Sequence, residues 1–142
     1  MKNKKYLFLI PVFILLSVFS YIYNKSTEID ITKTSTEIFI NSEEIVELFV
    51  GKENKALSLF KNKVVEVTGK VKSVNFTNNK PNIILYSNYN NHNVICEMQM
   101  ANTTKINKEL TSKTITLKGI CKGFLEDVII LNCTLLNIKD NE

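Results

Sequence analysis

Few residues in this chain stand out as able to do chemistry: three cysteines, one histidine and the adjacent acids Glu126 and Asp127. Thiolates that hold a metal usually come in close pairs such as Cys-x-x-Cys. Cys96, Cys121 and Cys133 lie 25 and 12 residues apart and form no such pair, so no metal is expected. The spacing suits inner positions on three separate strands, where a free cysteine behaves as a small hydrophobe. Cys121 and Cys133 fall on one face of a hairpin, which leaves a disulfide between them open if their Cα atoms come within ~7 Å. His92 sits in the polar turn Asn88-Tyr-Asn-Asn-His-Asn93, with no nucleophile or orienting group patterned beside it. Glu126 and Asp127 are paired carboxylates of the kind glycosidases use. Neighbours in a tight turn, however, face different ways. No Gly-x-Ser-x-Gly elbow, phosphate loop or paired-histidine motif occurs. The chain is expected to be no enzyme and to need no cofactor.

The elements that position these residues follow from hydrophobic period. Asn41 can cap a helix, with Glu44 three residues on completing a capping box. Ile45, Leu48, Phe49, Ala56, Leu59 and Phe60 then recur at helical spacing, interrupted by Gly51, which predicts a kink or two short helices. From Val64 the period changes to two. Val65, Val67, Gly69 and Val71 share one face, and Val74 and Phe76 continue it on the other parity, so a bulge or bend after Gly69 is expected. Thr77-Asn-Asn-Lys-Pro81 is turn chemistry. A second strand carries Ile83 and Leu85; a third carries Val94, Cys96, Met98 and Met100 inward. Thr103–Leu110 reads as a short helix or helical turn. Ile115, Leu117, Gly119 and Cys121 form the inner row of a fourth strand, and Ile129, Leu131, Cys133 and Leu135 that of a fifth. A long bent first strand, five strands in all and a helix between the third and fourth make an OB-fold barrel. An SH3-like barrel is the rival, disfavoured by that helix.

OB-folds usually bind ligands on strands two and three and on the loops after strands one and four. Here those positions are Phe76, Asn78, Asn79 and Lys80 in the first loop, Phe124 and Leu125 in the last, and Tyr86, Glu97 and Gln99 on the strands.

Tyr6–Tyr23 is an uncharged run of 18 residues. As a helix it would be ~27 Å long, enough to cross the hydrocarbon core. Lys2, Lys4 and Lys5 precede it, and Lys25, Glu28 and Asp30 follow. The positive-inside rule then keeps residues 1–5 in the cytoplasm and exports the rest. A cleaved signal peptide and a buried core helix remain alternatives. No cysteine near the end of the run offers a lipid-attachment site. Residues 24–40 read as a linker and 41–139 as the barrel domain with its leading helix. Of 18 lysines, four flank the apolar run, leaving 14 against 14 acids, so the part after Lys25 is nearly neutral. Arginine, the planar fork for phosphate and guanine, is absent.

Residues 43–135 resemble the family of small OB-fold domains described as similar to tRNA anticodon-binding domains, tRNA_anti-like. The matching elements are the helix ending near Asn54-Lys-Ala56 and Leu59-Phe60, then Val64-Val-Glu-Val-Thr-Gly69, and Lys118-Gly-Ile-Cys-Lys-Gly-Phe-Leu-Glu-Asp-Val128 with Asn132-Cys133. Members often carry an N-terminal signal or membrane segment. The resemblance implies the fold and does not imply tRNA binding. The expectation is a single-pass, membrane-anchored, extracytoplasmic module without catalytic activity, binding a protein, peptide or glycan. A nearly neutral exported part argues against nucleic acid as the partner; single-stranded nucleic-acid binding through the OB groove is the alternative.

Overall fold

The strands close into a ring because each carries a period-two apolar face and none is left without a partner on that ring. The computed structural model describes residues 9–24, 30–100, 103 and 106–139. Among the described residues there are six strands: β1 (Ile38–Asn41), β2 (Val64–Thr77), β3 (Lys80–Leu85), β4 (Val94–Met98), β5 (Thr114–Phe124) and β6 (Val128–Lys139). The order β2-β3-β4-β6-β5 closes through antiparallel β2–β5 pairing, with β4 and β6 parallel. This is the five-stranded OB-fold barrel expected from the pattern. β2 serves both halves, its first residues pairing β5 and its last pairing β3. The register shift that lets it bend lies between Val71 and Ser73, just beyond Gly69.

Two short helices precede the barrel, α2 (Ser42–Gly51) and α3 (Glu53–Phe60). The Asn41 side chain accepts from the Glu44 N–H at 2.8 Å, and the break falls after Gly51. Ile45, Val46, Phe49, Ala56 and Phe60 are buried against the sheet. The Phe49 ring stacks on Phe124 (5.9 Å between centroids) and tilts against Phe60 (5.8 Å), so the helices close the end of the barrel where β5 finishes. Ile106 and Leu110 are buried at the end where β5 begins. There the expected helix is a 3-10 turn, Lys108–Leu110, capped by Asn107; residues 104 and 105 lie outside the described residues.

Five row assignments differ from the alternation. On β6 Val128 and Ile130, not Ile129 and Leu131, are buried in the core, and Asn132, with positive φ, resets the phase so that Cys133 faces inward. Phe76 is 54% exposed, because it flanks the hairpin tip beyond the barrel wall. Met100 is exposed, since β4 ends at Met98. Gln99 is buried: after the register shift between Cys96 and Met98 its N–H donates to the Cys133 carbonyl at 2.9 Å.

The stretch read as a linker is laid on the barrel over its described part. Ile31 is fully buried and packs with Val64 and Ile120 on the outer side of β2 and β5. The Glu37 carboxylate takes the Lys63 ammonium at 2.6 Å and the Val64 N–H at 3.2 Å. Ile38–Asn41 then adds β1 parallel to the start of β2.

Helix α1 (Leu9–Asn24) has 16 residues. Among the described residues no helix is long and apolar enough to cross a membrane. The expected 6–23 span therefore appears as this shorter helix, with residues 6–8 outside the described part.

Candidate functional site

The residues singled out for chemistry are engaged structurally. Cys96, Cys121 and Cys133 are free thiols, all fully buried. Burial pushes the Cys121 thiol up to about 11, so it carries almost no thiolate at neutral pH. Burial, with the neighbouring Cys96 thiol, raises Cys133 as well. Cys121 is registered opposite Ile130, and the thiol beside Cys133 is that of Cys96, so the Cys121–Cys133 pairing is not the one this register sets up. His92 packs edge-on against Phe124 and its Nδ1 meets the Glu126 carbonyl. An Asp127 carboxylate oxygen accepts from the Asn93 N–H at 2.6 Å, which ties the β5–β6 turn to the β3–β4 loop. Among the described residues no cluster of three or more His, Cys, Asp or Glu side chains could hold a metal ion.

The expected ligand-face residues separate into three places. Asn78 and Asn79, both with positive φ, form the two-residue β2–β3 hairpin turn beside Phe76. Lys80 pairs with Glu97 at 3.4 Å, both partly exposed, so the pair adds little stability. Phe124 and Leu125 lie at the other end of the barrel, Phe124 under Phe49 and Leu125 exposed. Tyr86 follows β3 and is 41% exposed.

The outer face of β2, β3 and β4 carries one row of Ser73, Ile84 and Ile95 and another of Asn75, Asn82 and Glu97. None of these is aromatic or cationic, the two features a single-strand platform combines.

A different surface is concave. Around Tyr86 a groove of about 430 Å³ is lined by Ser42, Glu43, Thr68, Gly69, Lys70, Asn88 and Thr114. A neighbouring groove of about 570 Å³ is lined by Phe39, Glu44, Glu66, Thr116, Asn137 and Lys139. Asn41 and Thr68 border both, so they form one trough across β1, β2 and β5. Its floor is a row of outward side chains set by register: Asn41 opposite Thr68, Thr68 opposite Thr116, Thr116 opposite Asn137. The Thr68 and Thr116 hydroxyls are 2.8 Å apart. Ser42 donates to the Tyr86 carbonyl at 2.7 Å, and Asn88 donates to Glu43 at 3.0 Å, which fix the Tyr86 end. Thr36 donates to Glu66 at the other. Phe39, 73% exposed, stands at that end. Three carboxylates and two lysines line the trough. Sequence reasoning named only Tyr86 here. Phe39 was hidden in the stretch read as a linker, although Ile38-Phe39-Ile40 already alternates as a strand does.

Fold and trough together define a five-stranded OB-fold barrel with a side groove. The chain belongs to the tRNA_anti-like family, which it matches over residues 1–135. It is similar in structure to a lipoprotein of Klebsiella pneumoniae subsp. pneumoniae MGH 78578 proposed to bind nucleic acid, at 13% identity and a TM-score of 0.57, over 76% of this chain and 98% of that one. A second likeness, to a structure of yeast Stn1 and Ten1, has 10% identity and a TM-score of 0.44, over 76% of this chain and 66% of that one. The first speaks to fold alone, and the second carries no argument. No curated protein sequence matches.

Proposed function

We propose that this protein is a membrane-tethered, extracytoplasmic OB-fold module without catalytic activity that binds an extended, neutral polar ligand, best a glycan, in the trough between Phe39 and Tyr86. The observation that carries the reading is the trough's make-up. An exposed aromatic stands at each end, suited to the apolar faces of sugar rings. Between them lie hydroxyl, amide and carboxylate groups suited to sugar hydroxyls. With Glu43, Glu44 and Glu66 against Lys70 and Lys139, the trough is slightly acidic, which repels a polyanion. The tether reading is supported by α1: it carries no charge, and Phe13, Ile14, Leu15 and Leu16 are all exposed, a surface that water does not favour. The non-catalytic reading is supported by the burial of the thiols and the engagement of His92 and Asp127 described above.

The second reading is single-stranded nucleic-acid binding on the β2–β3–β4 face, the class of ligand proposed for the Klebsiella neighbour. Calorimetry with an N-acetylglucosamine hexamer and with a single-stranded DNA 12-mer separates the two. The glycan reading expects hexamer binding that survives added salt and weakens at least ten-fold in Phe39→Ala or Tyr86→Ala. Binding of the 12-mer alone, with affinity falling steeply as salt rises, would replace it with the second reading.

A further inference from the structure

The end of the barrel away from the β2–β3 hairpin has a composition that the trough does not use. Leu125 is 83% exposed at the tip of the β5–β6 turn. It is held firmly there: its N–H donates to the Asp127 carbonyl at 3.1 Å, and the preceding Phe124 ring is stacked on Phe49. Behind it lies a shallow cavity of about 360 Å³ with apolar walls from Leu57, Phe124 and Ile129, flanked by Lys61 and Lys122. Both lysines are exposed, and Lys122 is steadied by a 3.1 Å bond to the Asn62 side-chain oxygen. A fixed, protruding leucine between two ammonium groups matches the layering of a bilayer surface, where anionic headgroups lie above hydrocarbon.

The path of the chain brings this end to that surface. The segment that follows the apolar N-terminal run reaches the barrel at Ile31, which packs on Val64 and Ile120. Ile120 and Lys122 alternate on the outer side of β5, about 7 Å apart. Only five residues separate Asn24, the end of α1, from Asp30, a reach of roughly 20 Å at most over six peptide steps. A domain tethered through α1 thus has its Ile31–Lys122 end, and not its hairpin end, close to the lipid. Glu126 is the exposed acid of the turn and opposes the attraction. Lys61 and Lys122 outnumber it, and each lysine near an anionic surface strengthens binding about five-fold.

We propose that the Leu125 turn, with Lys61 and Lys122, rests on the anionic phospholipid surface of the membrane that holds the N-terminal segment, fixing the orientation of the trough above it. The inference depends on the tether reading given above.

The chain contains no tryptophan, so L125W supplies a single indole. The full-length variant is reconstituted into vesicles of phosphatidylcholine and phosphatidylglycerol carrying brominated acyl chains. The expected result is blue-shifted emission quenched at least two-fold, with the quenching reduced when Lys61 and Lys122 are both changed to Glu. F76W, at the far end of β2, should stay unquenched. A chain that floats with the vesicles while the L125W indole remains solvent-exposed and unquenched overturns the docking alone. A chain that fails to float overturns the tether reading, and the docking with it.

Discussion

Gly119 has no room for a methyl group. A Cβ there would lie 2.6 Å from both the Cys133 sulfur and Ile130 Cγ2, and 3.0 Å from the Leu131 carbonyl. Gly119→Ala should therefore cost about 1–3 kcal/mol, the usual range for overpacking, read as a lower denaturation midpoint. Gly51→Ala meets nothing within 4 Å at the end of α2 and should be neutral or stabilising by up to about 1 kcal/mol. The thiols set an alkaline limit. Cys121 titrates near 11 in the fold against an ordinary value of 9.0, so the folded state holds its proton longer. Its contribution is intact below pH 9 and is lost as pH rises from 9 towards 11. Thermal melts across that window should fall less steeply in Cys121→Ala than in the parent; identical slopes would remove the thiol from the account. That Cys96 and Cys121 face inward was legible from alternation; Cys133 faces inward because the positive-φ Asn132 shifts the phase of β6. Their pairing was not, because register shifts in the β5–β6 and β4–β6 ladders decide which thiol meets which.

At the scale of elements, the decisive one is the approach segment 30–41. Asp30 organises its first turn through Thr32 and Lys33, and Glu37 ties it to the barrel through Lys63 and the Val64 N–H. Thr32 and then Lys33 lower the Asp30 carboxyl, and Lys63 and then the Val64 N–H lower that of Glu37. Both contributions are present above the ordinary carboxylate range and fade as pH falls below about 4. Ile31 supplies the apolar lock. Ile31→Ala should cost about 2–5 kcal/mol, as for a core aliphatic residue, whereas a true linker position would cost nothing measurable. Urea unfolding of the two proteins distinguishes these outcomes. The barrel strands, the two helices and the Gly51 break were all readable, because each has its own period or cap. Segment 30–41 was not, since one buried isoleucine and four strand residues make too short a pattern. The OB strands two and three, which a fold-level rule marks as the ligand face, turn out to carry Ile84, Ile95, Asn82 and Glu97. The trough lies instead on the added strand's side, where register brings together residues that are remote in sequence.

At the scale of the whole molecule, the proposed function joins the barrel, its side trough and an apolar N-terminal helix into a ligand-binding module held at a membrane. Family membership fixes the barrel and leaves the ligand to the site itself. The most direct test follows backbone amide NMR shifts of the ¹⁵N-labelled full-length protein in detergent micelles as the N-acetylglucosamine hexamer is added. The account predicts shifts centred on Asn41, Thr68, Gly69, Thr116 and Asn137, unchanged at raised salt. Shifts centred on Asn75, Asn82 and Glu97 with single-stranded DNA, and none in the trough with the hexamer, would contradict it.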